Sequence, residues 1–548
     1  MTDDGMRRGA ALMASGTAVS RVLGLLRGMV LATAIGATGQ AADAFAVANK
    51  LPNVLYMLLA GGVLNAILVP QVVRAYKRKA GQEYVDRLLT LGFVLLAGAT
   101  LVLTLLAPYL VGLYSDFGNP TQEALATTFA YWCIPQLFFY GAYALLGQVL
   151  NARGSFGPYM WAPAVNNLVA IAGFGVFIAL FGGWKTSDVV DASTWTAGQT
   201  TLLAAAASLG VVAQAVVLIP SLRRAGVHYR PRWGLRGSGL SAAGTVATWT
   251  FAGLAIGQLG YLVVSRVASA APNAAVADGS AATAVAGPAA YDVAFLVFML
   301  PHSLVTVSLA TALFTRLSGQ ASDADLPGVR ATLSSGLRVV GVFTIFATAA
   351  IAVLALPLTR VVLATASEGS ADAVSTVVLT MIVGLPAFGA WSMFQRAYYA
   401  YEDARSMVPI QVVMAAVVVA GAMLSQMFLR PSLWVAGAGA AMSVSYVVGA
   451  LVAQWRLRRR LGGIDGARVL RVLVRATLAA LVSAAVGYGV LRLLGLGLST
   501  DFVASVLQCA VVGTVMGLVY LGCLRALRVR ELDELVAPVV RRLRGGRR

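Results

Sequence analysis

The sequence predicts an all-α polytopic membrane protein with about fourteen transmembrane helices, arranged as two lobes of about six helices related by a parallel repeat, plus a C-terminal helix pair. Three observations carry this. Apolar residues make up 59% of the 548 positions and charged ones only 11%, with a mean hydropathy of +0.80, whereas a soluble domain carries roughly 25% charge. The apolar residues come in runs close to the roughly 20 needed to cross a bilayer as a helix. They lack the period-two alternation of a membrane barrel, and lone strands leave backbone groups unpaired in hydrocarbon. Finally, charge is distributed by loop. Basic residues cluster in every second connection: Arg74, Lys77, Arg78 and Lys79, then Arg223, Arg224, Arg230, Arg232 and Arg236, then Arg456, Arg458, Arg459 and Arg460, then the tail 525–548. Intervening loops such as 118–123 and 269–288 hold almost no Lys or Arg. The formal charge of +19 is therefore a topology signal and not a nucleic-acid footprint. The positive-inside rule places both termini in the cytoplasm, with the basic loops against anionic lipid.

The spans follow in order. The N-terminus reads as a short cytoplasmic tail, because the apolar stretch beyond it is too long and too arginine-bearing for a cleavable signal. The first six spans are expected at 10–36, 42–73, 85–113, 121–151, 159–181 and 200–222. A basic loop at 228–236 divides the chain. Spans seven and eight, at 240–268 and 290–317, flank an Ala-rich outer loop containing Pro272, Gly279, Gly287 and Pro288. The rest fall at 337–363, 375–401, 408–429, 434–455, 470–494 and 502–524. This gives an N-lobe of residues 1–236, a C-lobe of 237–460, and a C-terminal pair with basic tail at 461–548. Leu51-Pro52-Asn53 in span two is echoed by Leu300-Pro301-His302 in span eight. The turn from Asn151 to Pro158 is echoed by the turn from Glu402 to Pro409. Both matches are about six spans apart; an even offset keeps the two halves in the same orientation.

The most informative stretch is the hairpin 20–53. Its first helix carries Arg21 and Arg27, its second Asp43 and Lys50. Ionisable groups at membrane depth are costly and usually line a cavity or pathway. Arg21 and Arg27 differ by roughly 9 Å of rise and about 120° of rotation, so they reach two depths. Asp43 and Lys50 share a face, and Asn49, Asn53 and Tyr56 form a neighbouring stripe. Pro52 removes a mid-helix hydrogen bond and kinks the helix. Such a net-positive polar wall suits an anion, and arginine's rigid donor fork suits a phosphate. The alternatives are that Arg21 snorkels to the surface and that Asp43 pairs structurally with Lys50 or Arg27. His302, just after Pro301, is either a buried neutral imidazole with a backbone partner or a substrate or proton site. Asn166, Asn167 and Gln258 are expected to hydrogen-bond between helices. Cys133, Cys509 and Cys523 lie in apolar runs without metal-ligand spacing and read as small core hydrophobes. No catalytic constellation, nucleotide loop, metal site or cofactor motif is present, so an enzyme is not expected.

The pattern Ser20-Arg21-x-x-Gly24-x-x-Arg27, followed by Asp43-Ala44-Phe45 and Leu51-Pro52-Asn53, resembles the MurJ (MviN) family of lipid II flippases. That family belongs to the multidrug/oligosaccharidyl-lipid/polysaccharide exporter superfamily. Val69-Pro70, Leu150-Asn151 with Phe156 and Pro158, and Tyr399-Ala400 with Asp403 and Pro409 also match, so the likeness runs over nearly the whole chain. The resemblance implies a flippase that moves undecaprenyl-pyrophosphate-linked peptidoglycan precursor to the outer leaflet by alternating access. It further implies that Arg21 and Arg27 engage the pyrophosphate, and that spans thirteen and fourteen border a groove for the lipid tail. Implied partners are the lipid itself, membrane lipids and cell-wall synthesis proteins. The chain departs from the family pattern at Gly28, Tyr56, Gly61 and Leu296, where the family often carries charge. It also lacks a carboxylate inside span seven and an Asn in span eleven, so the sodium site of some members is not expected here. Competing readings are an exporter of another anionic lipid-linked glycan or drug, and a non-transporting scaffold for cell-wall enzymes. A scaffold has no use for mid-membrane arginines.

Overall fold

The computed structural model describes residues 3–59, 82–184, 192–233, 244–281, 284–495, 501–529 and 531. The expected loop around Lys77, the positions Gly61 and Arg236, and the tail past residue 531 lie outside the described residues. The described residues are helical, with no strand among them. The principal helices are α1 (Asp3–Ile35), α2 (Gln40–Leu59), α3 (Gln82–Leu105), α4 (Pro120–Ala152), α5 (Phe156–Phe181), α6 (Ala197–Arg224) and α7 (Gly244–Ala277). They continue with α8 (Pro288–Ser322), α9 (Leu326–Val353), α10 (Glu368–Ile382 and Leu385–Ala400), α11 (Val408–Phe428), α12 (Trp434–Leu461), α13 (Gly466–Gly495) and α14 (Phe502–Ala526). Twelve described helices are long and apolar enough to cross a membrane, or 13 when the two halves of α10, bent by 47°, count as one span. The remaining expected span is α2, whose described part stops at Leu59.

Helix ends are set by local chemistry. Asn119 caps α4 by accepting from the backbone of Thr121 and Gln122, with Pro120 following it. Thr196 and Gln199 form a reciprocal capping box at the start of α6. Asp325 and Asp501 cap α9 and α14. Each cap satisfies amides that a helix start leaves unpaired, worth about 1 kcal/mol apiece. The turn from α1 to α2 needs glycine. Gly36 has φ +80, and a Cβ there would lie 2.9 Å from the Trp184 ring. Large apolar side chains such as Leu105, Leu180 and Leu493 remain about seven-tenths exposed (69%, 68% and 72%), as expected of surfaces facing acyl chains.

Packing divides the chain into two compact units, residues 1–290 with 365–370, and residues 291–364 with 371–548. In the first unit α1 lies along α5, α5 against α6, and α2 against α4. In the second, α11 pairs with α12, α13 with α14, and α9 with α10 and α13. Two differences from the sequence expectation have clear causes. Helix α7 runs on to Ala277 through part of the expected outer loop, with Pro272 inside it. Its C-terminal half is fastened within the first unit by three polar side chains. Arg266 donates to the carbonyls of Gly112 (2.8 Å) and Ser115 (3.3 Å) and pairs with Asp116 at 3.0 Å. Ser269 Oγ accepts from the Asp116 amide, and Asn273 donates to the Phe117 carbonyl and to Gln122. A guanidinium on the last carbonyls of the short helix Ala107–Tyr114 also answers that helix's negative end. Helix α9 begins at Leu326, well before the expected 337, because Asp325 caps it there.

Candidate functional site

In the first unit α1 runs between amide-bearing neighbours. Arg27 is partly buried. Its Nη1 is 3.4 Å from Asn166 Oδ1 of α5, a long and weak hydrogen bond. Asn166 in turn donates from Nδ2 to Gln214 Oε1 of α6 at 2.7 Å, which fixes which way its oxygen points. Tyr140 and Cys133 of α4 are the other electrostatic neighbours of the guanidinium. No carboxylate lies within ion-pair distance of Arg27 among the described residues. The α5–α6 contact is tight here: a Cβ on Gly210 would sit 2.5 Å from Asn166 Oδ1, so only glycine lets α6 approach. One turn and a half earlier on α1, Arg21 is also partly buried. The backbone beside it is held by Asn167, which donates to the Ser20 carbonyl at 2.9 Å.

Helix α2 brings the remaining hairpin candidates. Lys50 lies over the Tyr261 ring of α7, 5.6 Å from its centroid. Asn49 accepts from Gln136 at 3.5 Å, and Gln136 also donates to Ser208 at 2.9 Å. Asn53 is exposed and Tyr56 partly buried. Asp43 behaves differently from the rest. It is fully buried, and Oδ1 accepts from the Ala289 amide at 2.9 Å, in the first turn of α8. Its other oxygen has no hydrogen-bond partner among the described residues. The carboxylate thus meets a helix N-terminus, where negative charge is favoured. It forms no ion pair with Lys50 or Arg27 among the described residues, so the structural pairing considered from sequence is not the one made.

His302 belongs to the second unit. It is buried at the start of a π-turn, His302–Thr306, that follows Pro301. Its ring is 4.2 Å from that of Phe388, which packs in turn on Phe298 and Tyr446. The mid-helix amides divide. Asn166 and Asn167 bond between helices as expected, whereas Gln258 makes no such bond among the described residues. Cys133 is buried and the three cysteines are unpaired with one another. Sequence reasoning passed over Gln136, Gln214, Tyr140 and Arg266. The available signal was the same for each: a polar or ionisable group inside an apolar run.

A multi-helix membrane fold with a partly buried arginine beside one amide oxygen is an arrangement suited to a membrane transporter. The family model described as "Lipid II flippase MurJ" matches residues 31–507. The chain belongs to that family. It is 28% identical over 408 residues to the probable lipid II flippase MurJ of Vibrio cholerae serotype O1, covering 72% of each chain. It is 28% identical over 471 residues to the lipid II flippase MurJ of Burkholderia cenocepacia, covering 82% of this chain and 84% of the other. Among solved structures, a lipid II flippase MurJ in an inward closed conformation superposes with a TM-score of 0.71 at 16% identity, over 94% of this chain and 99% of that one. An inward-facing multidrug resistance MATE transporter of the MOP superfamily gives 0.63 at 15% identity, over 83% and 99%. At these identities the structural likeness concerns the fold.

Proposed function

We propose that this protein is a lipid II flippase of the bacterial cytoplasmic membrane, carrying the undecaprenyl-pyrophosphate-linked precursor from the inner to the outer leaflet by alternating access. The observation that carries this is Arg27: a partly buried guanidinium inside a membrane bundle, held by one long amide contact and by no carboxylate among the described residues. Burying a charge without a counter-charge is costly. A doubly anionic pyrophosphate supplies the missing counter-charge, and its own passage through hydrocarbon needs a cation. Arg21 and Lys50 extend the positive wall, with Asn49, Asn53 and Tyr56 as neutral partners for the head group. Asp43 holds the start of α2 by its contact with the Ala289 amide, and His302, in the second unit, is a separate candidate for substrate contact. The lobes 1–236 and 237–460 reflect the repeat, and the basic tail and loops contact anionic lipid and cell-wall synthesis proteins.

Depleting the protein in its host tests the reading directly. Lipid II should accumulate on the inner leaflet in an assay that distinguishes leaflets; an unchanged outer-leaflet pool sinks the proposal. The family likeness and the basic loops also support cytoplasmic termini. With Arg78→Cys, an impermeant thiol reagent should leave that position unlabelled in intact cells and label it after permeabilisation. Strong labelling from outside would reverse the orientation.

A further inference from the structure

The first unit gathers four tyrosines from three helices, one of which, Tyr140, is an electrostatic neighbour of Arg27. Tyr56 of α2 lies 5.8 Å from Tyr140 of α4, their rings inclined by 37°. One turn along α4, Tyr143 stacks on Tyr159 of α5 at 4.7 Å and 18°. The Tyr143 hydroxyl donates to the Tyr159 backbone carbonyl at 2.9 Å, which locks that pair. Tyr56, Tyr143 and Tyr159 pack against one apolar cluster that includes Leu145 and Leu150, and Tyr140 joins them through Tyr56. Tyr140 is an electrostatic neighbour of the Arg27 guanidinium, and Gln214, which orients Asn166, is one of Tyr143.

All four tyrosines are partly buried, as are Phe93 and Phe138 packed with them, whereas Phe45, Phe129 and Phe174 in this unit's core are buried to 1% exposure or less. Packing alone would be served by phenylalanine, which has no hydroxyl to desolvate. Tyrosine suits a surface that is apolar on its face and wet at its tip. A guanidinium for phosphate, amides for hydroxyls and partly buried aromatic rings are the groups that a phosphorylated sugar would use. The apolar C–H face of a pyranose packs on an aromatic ring while its hydroxyls find polar partners, the mixture found in small-molecule sites. A bare polyprenyl pyrophosphate has no use for the rings.

We propose that Tyr56 and Tyr140, braced by the Tyr143–Tyr159 stack, are the platform for the first sugar of a pyrophosphate-linked glycan whose phosphates are held by Arg27. This rests on the reading of the protein as a carrier of such a lipid, and adds that the carrier tests for the glycan through ring contact.

The test compares two probes on the purified full chain in lipid nanodiscs: lipid II, and undecaprenyl pyrophosphate, which lacks sugar. Tyr140→Leu and Tyr56→Leu should each weaken lipid II about two- to tenfold, the range expected for an aromatic contact. Both should weaken undecaprenyl pyrophosphate, which offers no sugar to the rings, less than lipid II. Arg27→Ala should weaken both probes. Tyr140→Phe keeps the ring and should bind lipid II like the parent; should Tyr140→Leu fail to fold, Tyr56→Leu and Tyr140→Phe decide the matter. Equal loss of both probes in the leucine variants, no loss of lipid II, or a loss in Tyr140→Phe as large as in Tyr140→Leu overturns the platform. Failure of the parent protein to bind either probe overturns the carrier reading itself, and is distinguishable because it appears before any variant is made.

Discussion

Arg27→Ala is expected to abolish flipping while the protein still folds and inserts. The side chain is partly buried, so its loss removes a cation where water cannot replace it. It has no carboxylate partner among the described residues, so its loss strands no buried anion and spares the fold. Removing one charge-assisted contact to the pyrophosphate costs on the order of 1.5–3 kcal/mol, or roughly 10- to 100-fold in affinity. Arg21→Ala should act in the same direction. Arg27→Lys should restore activity only in part, because an ammonium is a point charge and does not reproduce the bidentate fork. His302→Ala should do less, since that ring is buried against Phe388. The measurement is complementation of a flippase-depleted strain, with membrane levels checked in parallel. Full complementation by the double Arg21→Ala, Arg27→Ala variant would make both arginines structural and would move the substrate site elsewhere.

The largest stability effect is expected at Arg338. This residue of α9 is buried, as is its partner Glu531, and the two form an ion pair that closes the second unit beyond α14. Arg338 also donates from Nε to the Ser334 carbonyl at 3.2 Å, and Ser334 donates to Asp465 at 3.0 Å. Arg338→Ala leaves Glu531 buried and unpaired, which costs about 3–5 kcal/mol. Replacing both partners by apolar residues, as in Arg338→Met with Glu531→Leu, should be close to neutral, because no charge is stranded. Denaturant unfolding in mild detergent reads the difference. A single variant as stable as the parent would show that Glu531 is not held in the dry pair. A double variant as unstable as the single would show that shape and not charge is decisive.

The hairpin was legible because membrane depth makes charge conspicuous. An arginine inside an apolar run stands out against hydrocarbon, so Arg21 and Arg27 could be singled out by type and position alone. Arg266 and Arg338 sit in similar runs and were equally visible, yet their roles were not, because each role depends on what lies opposite. Arg266 meets helix-terminal carbonyls and Asp116, while Arg338 meets a glutamate nearly two hundred residues further along the chain. Asp43 illustrates the same limit. Its spacing to Lys50 placed them on one face of α2, but the carboxylate turns to the start of α8, a partner that no spacing within the hairpin reveals.

What the sequence determined by itself was the class of fold, the approximate spans and the presence of basic residues within apolar runs. These follow from one-dimensional quantities: run length against bilayer thickness, charge against hydropathy, and the helical repeat. The tertiary structure alone decided which arginine meets no carboxylate among the described residues, that Tyr140 is its neighbour, and where α7 is fastened. Those depend on contacts between residues far apart in the chain, such as Arg27 with Asn166 and Arg266 with Asp116. Hydropathy places a side chain at a depth in the membrane; only packing chooses its neighbour.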